Sequence, residues 1–191
     1  MAPLADSSLQ ALVERVASAD PAPGAGPSLA WTCAFAAALV EMVSAVALRK
    51  DGPEAAAERR RDRASELRGV ALALADADVT VYTAVLDVLR RRGEPGHGGR
   101  LRAALSDAAD PPLAIVEIAA ELTALAADAA AEARGGVRGE AVTAAVLAEA
   151  VVRAGVPLID LNLASAPDDP RRARVRELAQ VAVGELGRAL G

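Results

Sequence analysis

The segment Asp20–Met42, with the sequence DPAPGAGPSLAWTCAFAAALVEM, decides how this chain folds. Its first part alternates proline with small residues as far as Pro27, a pattern foreign to helix and strand interiors, because proline fixes its own φ and restricts the residue before it. Its second part, from Ser28 to Val40, carries no charge and is mostly small and apolar. The segment therefore predicts a tight turn leading, with Pro27 at the first helical position, into a helix buried on every side.

The turn has two possible roles. The first N–H groups of a helix have no partner within it, so beside glycines they could form a site for an anion or a carbonyl group. The turn could instead serve only to bring the chain into the buried helix, and turn chemistry by itself favours this second interpretation.

The composition predicts a single all-α domain over residues 1–191. Aromatic residues make up only 2% of the chain and alanine is abundant, which favours helix over strand almost everywhere. The proline and glycine positions divide the chain into a bundle of about six to seven helices, the central ones long. A stop or kink is expected at Gly155-Val156-Pro157.

Charge and cysteine content exclude several classes of protein. A net charge of −5 argues against a nucleic-acid partner, and the single cysteine, Cys33, rules out a disulfide framework. The N-terminus lacks the basic region of a signal peptide, so we expect a cytoplasmic protein.

Leu29–Leu48 is long enough to span a membrane, but Glu41 interrupts it. We expect a buried helix and no membrane partner; a membrane-associated helical protein is the weaker alternative. The sequence contains no cluster of cysteine and histidine residues, so we predict no metal site.

Asp78 is the carboxylate that the helical pattern singles out. Projected at 100° per residue, it falls inside the apolar stripe that contains Leu74 and Val81, whereas Asp76 falls on the opposite side. A carboxylate there costs free energy unless it is paired, hydrogen-bonded or used in chemistry. A helix cap or salt bridge and a functional role remain equally open for Asp78. Asn162, polar within an apolar run, also needs a partner.

Several motifs occur in an order that resembles a known family. They are Ser8-Leu9, the turn Pro21–Gly26, the helix ending in Ala38–Val43, Asp76–Tyr82 with its Asp-x-Asp and aromatic residue, Pro112-Leu113, and Leu161-Asn162-Leu163. Together they resemble the cyclodeaminase/cyclohydrolase family, which includes formiminotetrahydrofolate cyclodeaminase and methenyltetrahydrofolate cyclohydrolase. The resemblance extends from Ser8 to about Ala164.

The resemblance implies an all-α bundle that forms homodimers and acts on a tetrahydrofolate derivative as substrate, with no tightly bound cofactor. It implies that Asp78 is the catalytic carboxylate beside the cationic one-carbon unit, where it would stabilise charge or relay a proton. The residues expected to bind substrate are Pro23, Gly24, Gly26, Ser28, Lys50, Tyr82 and Asn162.

The chain departs from the family pattern at three segments near the expected site. The Gly-Gly-Gly-Ser turn of the family is here Gly24-Ala25-Gly26-Pro27, and its lysine-rich segment is reduced to Arg49-Lys50-Asp51-Gly52. Its asparagine loop aligns with Ala133–Glu140 and has lost both asparagines. Two functions therefore remain open: an enzyme that hydrolyses 5,10-methenyltetrahydrofolate or cyclises and deaminates 5-formiminotetrahydrofolate, or an inactive member that serves as a dimeric structural, binding or regulatory module.

Overall fold

The computed structural model of the protein describes residues 3–51, 54–133 and 135–191. Within these ranges the chain forms seven α-helices and no strand, which confirms the predicted all-α domain and the predicted number of helices. The helices are α1 (Leu9–Val16), α2 (Ala25–Asp51), α3 (Ala55–Arg90), α4 (His97–Asp107), α5 (Asp110–Glu132), α6 (Arg138–Asn162) and α7 (Pro170–Leu190), and short 3-10 turns occur at Leu4–Asp6 and Gly135–Val137.

Five long helices, α2, α3, α5, α6 and α7, form a bundle in which successive helices alternate in direction. At one end, which we call the turn end, Asn162 of α6 bonds to Ala108 just before α5, and Arg171 of α7 pairs with Asp110. At the other, which we call the Arg60 end, Arg60 of α3 pairs with Glu132 of α5. The functional residues predicted from the sequence therefore divide between two distant ends of the bundle.

Small side chains allow close packing in the core. Alanine is the commonest buried residue of both α5 and α6. Gly155 of α6 lies so near α5 that an added Cβ would overlap Val116. The sequence predicted a stop or a kink at Gly155-Val156-Pro157. The stop does not occur, because α6 continues through these residues to Asn162. Tight packing against α5 holds the helix together across residues that would break an isolated one.

The start of α2 also differs from the prediction. The helix begins at Ala25, so Pro27 is its third residue and not its first. The position is still within the first turn, where a missing N–H removes no helical hydrogen bond. In the sequence, Asp51 and Pro53 predict the start of the next long helix. Asp51 is instead the last residue of α2, and α3 begins at Ala55. Gly52 and Pro53 lie outside the described residues.

The prediction that α2 is buried on every side is wrong. Cys33 and Val40 are fully buried on its core side, and burial raises the pKa of the Cys33 thiol to about 12. On the outer side, Phe35 is 55% exposed and Met42 is 38% exposed. An apolar sequence shows that any side of a helix could be buried, but the number of neighbouring helices decides how many sides are.

Three segments are long and apolar enough to cross a membrane, judged by length and composition alone: Ala25–Lys50, Ala55–Arg90 and Gly135–Asn162. In the bundle they pack side by side, and α2 contacts both α3 and α6. The absence of a membrane partner therefore stays a prediction.

Candidate functional site

Four helices surround a cleft of about 230 Å³ at the turn end of the bundle. The proline–glycine turn and the first residues of α2 form one wall, and α3 contributes Asp78 and Tyr82. Pro112 of α5 and the last turns of α6 close the cleft. Its lining residues are Pro21, Ala22, Gly24, Ala25, Gly26, Asp78, Tyr82, Pro112, Leu158, Leu161 and Asn162.

Asp78 is the chemically distinctive residue of this cleft. It is the only charged residue among the described residues that line it, and its carboxylate accepts no hydrogen bond from the described part of the chain. Burial without a compensating partner disfavours the charged form and raises the pKa of Asp78 to about 6. A carboxyl group of this kind exchanges protons near neutral pH, which is a property expected of a general acid or base.

Gly26 is the residue that makes room for this carboxylate. A Cβ added at position 26 would overlap the Asp78 carboxyl group, whereas one at Gly24 would meet nothing nearer than the Pro21 carbonyl oxygen at 4.0 Å. The family resemblance implied that both glycines bind substrate. In the structure, the absence of a side chain at Gly26 leaves space for the Asp78 carboxylate of α3 beside the first turn of α2.

Asp76, two residues before Asp78, has a different environment. Its Oδ1 atom accepts a hydrogen bond of 3.0 Å from the backbone N–H of Leu4, so it fastens the N-terminal 3-10 turn to α3. Residues two apart on a helix point about 200° apart, which separates the two carboxylates. The Asp-x-Asp motif thus contains one carboxylate that holds the structure together and one that faces the cleft.

Asn162 and Tyr82 also line the cleft. The Asn162 side-chain amide donates a hydrogen bond of 2.8 Å to the Ala108 carbonyl oxygen, the partner that its apolar surroundings require. This bond fixes the end of α6 to the segment before α5. Tyr82 lies one turn after Asp78 and is 37% exposed at the rim.

Three residues predicted to bind substrate lie outside this cleft. Pro23 is buried within the turn, and the Ser28 hydroxyl donates a hydrogen bond of 2.8 Å to the Gly24 carbonyl oxygen, inside its own helix start. Lys50 lies at the Arg60 end, on the wall of a separate cavity of about 120 Å³. With a rise of 1.5 Å per residue, about 36 Å of helix separates it from Gly26.

Sequence reasoning did not assign Pro112, Leu158 or Leu161 to the site, although all three line the cleft. Leu161 is 70% exposed, the highest exposed fraction among the large apolar residues described. A signal was present, because Pro112 and Leu161 each belong to one of the motifs on which the resemblance depends. No group of three or more potential metal ligands occurs among the described residues.

The sequence model of the family described as formiminotransferase-cyclodeaminase matches residues 8–181. The chain belongs to this family. The matched region covers every helix from α1 to α6 and the first half of α7, and it includes the whole lining of the cleft. The family assignment made from ordered motifs is therefore confirmed.

A solved structure supports the fold of this family member. The chain is similar to the formiminotetrahydrofolate cyclodeaminase of Thermotoga maritima, with a TM-score of 0.84 and 24% identity, over 97% of this chain and 94% of that one. At this level of identity the match establishes the fold. No curated protein sequence matches the chain.

Proposed function

We propose that the protein is a folate-dependent one-carbon enzyme that converts 5-formiminotetrahydrofolate to 5,10-methenyltetrahydrofolate and ammonia, with Asp78 as the catalytic carboxylate. The observation that carries the proposal is the half-buried Asp78 carboxyl group, unpaired within the described chain and facing a cleft. The family and the shared fold support a folate ligand. Hydrolysis of the methenyl compound in the same cleft is the second reaction that this carboxylate could serve.

The proposed step moves one proton between two nitrogens of the substrate. N10 attacks the carbon of the protonated formimino group and forms a carbon–nitrogen bond, and the ionised Asp78 carboxylate takes the proton that N10 loses. The carboxyl group then gives this proton to the departing amino group, the carbon–nitrogen bond to it breaks, and ammonia leaves. The product is the methenyl cation, so charge and protons balance and Asp78 returns to its ionised form. A pKa of about 6 suits a group that both accepts and releases a proton near neutral pH.

The cleft offers complementary features to the rest of such a substrate. Its walls are mostly apolar, which suits the flat face of a pterin ring, and the Asn162 side chain lies among them. The developing methenyl cation would be stabilised by the single negative charge of Asp78 in a partly desolvated position. The described lining contains no basic residue to bind the carboxylates of the glutamate tail.

The test measures ammonia release and methenyl absorbance with purified protein and 5-formiminotetrahydrofolate. We expect both to rise together, and the Asp78→Asn variant to lower kcat by about a hundredfold or more, the usual effect of removing a general acid–base group. Asp76→Asn is the matched control, because it changes a carboxylate two residues away that does not line the cleft and keeps an oxygen for the Leu4 N–H.

Three other outcomes decide between alternatives. Decay of 5,10-methenyltetrahydrofolate without ammonia release from the formimino compound would assign the cyclohydrolase reaction. Full activity in Asp78→Asn would remove Asp78 from the mechanism. No reaction, together with no rise in melting temperature on adding any folate, would overturn the proposal and leave the inactive dimeric module.

A further inference from the structure

One arginine of α7 holds residues 106–112, which join α4 to α5 and which we call the α4–α5 corner. The Arg171 guanidinium donates through all five of its N–H bonds and is 20% exposed. Nε and Nη2 donate to the two carboxylate oxygens of Asp169, at 3.0 and 2.8 Å. Nη1 donates to the Ser106 carbonyl oxygen at 2.9 Å and to the Asp110 carboxylate, and Nη2 also donates to the Ser106 hydroxyl at 2.7 Å. Because a guanidinium has five donors, this position uses the full bonding capacity of arginine.

The α4–α5 corner forms part of the wall of the cleft that contains Asp78. Pro112 lines this cleft and lies two residues after Asp110. The Ala108 carbonyl oxygen accepts the hydrogen bond of Asn162, which lines the cleft as well. Arg171 itself is not among the described residues of the lining, so any effect that it has on the cleft passes through the corner.

The corner depends on these bonds because α4 is weakly anchored. No residue of α4, which the structure describes in full, is buried, and this helix packs mainly against α3. Its first turn contains Gly98 and Gly99, which have a low preference for helix. A helix with no buried side chain has few apolar contacts to fix its position. Hydrogen bonds from α6 and α7 therefore decide where the end of α4, and with it the corner, lies.

The bonds to Arg171 do not weaken at the pH at which Asp78 changes its charge. They lower the pKa of Asp169 to about 2, because this carboxylate accepts from the side chain and from the backbone N–H of Arg171. Asp169 and Arg171 therefore remain ionised near pH 6. Lysine is a poor substitute for Arg171, since its three donors on one nitrogen cannot reach acceptors spread over three segments.

We infer that Arg171 is a positioning residue of the cleft, which fixes the α4–α5 corner and thereby sets where Pro112 and Asn162 meet a substrate. The position of the wall does not depend on the reaction, whereas the effect on a substrate rests on the proposed function. Asp78 lies on α3 beside Gly26 of α2, away from the corner. The chemical step therefore does not need Arg171, and the corner determines how well a bound ring fits the cleft.

The first test needs no ligand and uses Tyr82, the only tyrosine of the chain. Protein labelled with 3-fluorotyrosine gives a fluorine NMR resonance from a ring that lines the cleft. We expect Arg171→Lys to shift or broaden this resonance. Arg174→Lys is the matched control and should leave it unchanged. Arg174 also joins α7 to α5, through Glu117 at 3.6 Å, but its described partners lie outside the corner.

Ser106→Ala is a milder second variant, because it removes one acceptor and keeps the guanidinium. We expect it to change the Tyr82 resonance less than Arg171→Lys does. Unchanged helical circular dichroism shows that a variant is folded, and if Arg171→Lys does not fold, Ser106→Ala decides. A resonance unchanged in the folded variants, or changed equally by Arg174→Lys, would overturn the positioning role.

The second test measures the kinetics with 5-formiminotetrahydrofolate. We expect Arg171→Lys to raise KM about tenfold and to leave kcat within about twofold, since a displaced wall weakens binding but leaves Asp78 in place. If Arg171 served stability alone, the folded variant would keep the KM of the wild type. A lower kcat with an unchanged KM would also contradict the inference. If the wild type reacts with no folate, the proposed function fails by itself, and the fluorine measurement still decides the role of Arg171.

Discussion

The two ends of the bundle differ in whether a buried charged side chain has hydrogen-bonding partners. At the Arg60 end, the Arg60 side chain is only 5% exposed, donates a hydrogen bond to the Ser44 hydroxyl and pairs with Glu132 at 2.7 Å. At the turn end, the Asp78 carboxylate accepts no hydrogen bond from a described residue, and burial raises its pKa to about 6. A charge whose partners are present stabilises the fold, whereas a charge left without partners is held there at a cost in stability and is available to a ligand.

The largest expected change in stability comes from removing Arg60, the charged group whose partners are present. Arg60→Ala removes an ion pair and a hydrogen bond, orphans the buried Ser44 hydroxyl and leaves a cavity, so we expect it to lower the free energy of unfolding by about 3 kcal/mol. Urea unfolding measures this value. Arg59→Ala, at an exposed neighbouring position, should change it by less than about 0.5 kcal/mol. Similar losses in the two variants would show that the buried contacts of Arg60 contribute little.

The next effect tests the fit between Gly26 and Asp78. Gly26→Ala places a methyl group where the Asp78 carboxylate lies, so we expect a loss of about 2 kcal/mol, typical of overpacking, together with loss of activity. Adding Asp78→Ala should restore most of the stability. Gly69→Ala, with nothing within 4 Å of its added Cβ, should stabilise α3 slightly. If the double variant is as unstable as Gly26→Ala alone, the overlap is not the cause.

A smaller effect should depend on pH. Burial raises the pKa of Asp78 in the folded protein, so the native state binds more protons than the unfolded state between about pH 4 and pH 6, and the ionised group destabilises the fold above this range. Asp78→Asn should therefore stabilise the protein by about 1 to 2 kcal/mol at pH 8 and have almost no effect at pH 4. Urea unfolding at both pH values measures the difference. If Asp78→Asn stabilised the protein equally at pH 4 and pH 8, the titration of Asp78 would not be the cause of the stabilisation.

The smallest effect concerns Ser28, predicted from the resemblance to bind substrate. Its hydroxyl is bonded to the Gly24 carbonyl oxygen at the start of α2, so Ser28→Ala should lower stability by about 0.5 to 1 kcal/mol. We expect an unchanged KM, because the hydroxyl serves its own helix. A severalfold rise in KM with unchanged stability would show instead that Ser28 contacts the substrate.

Most of the secondary structure could be predicted from local sequence. Ser8 caps α1, since its hydroxyl accepts a hydrogen bond from the Ala11 N–H, and Asp169 and Pro170 start α7. These signals are local because a cap or a proline acts on the few residues around it. The stop that was one of the two outcomes expected at Gly155 and Pro157 does not occur, because packing against α5 outweighs the poor helix preference of these residues.

The site could be predicted only in part. Helical projection identified Asp78, since a lone acid within an apolar stripe is visible in the sequence. The resemblance also implied Lys50, which lies in a different cavity at the Arg60 end. The ordered motifs do not show that about 36 Å of helix separates Lys50 from Gly26. Pro112 and Leu161 line the cleft because α5 packs against α6. This contact joins residues far apart in the sequence, so local sequence does not predict it.

The sequence by itself determined that this chain is helical, which family it belongs to and which carboxylate is out of place in an apolar pattern. All of these depend on interactions within a few residues or on ordered motifs. Only the tertiary structure decided that Asp76 is bonded while Asp78 is free of described partners, that Gly26 serves Asp78, and that the outer side of α2 remains exposed. The physical reason is that burial and hydrogen bonding are properties of neighbouring helices, and a single helix does not specify its neighbours.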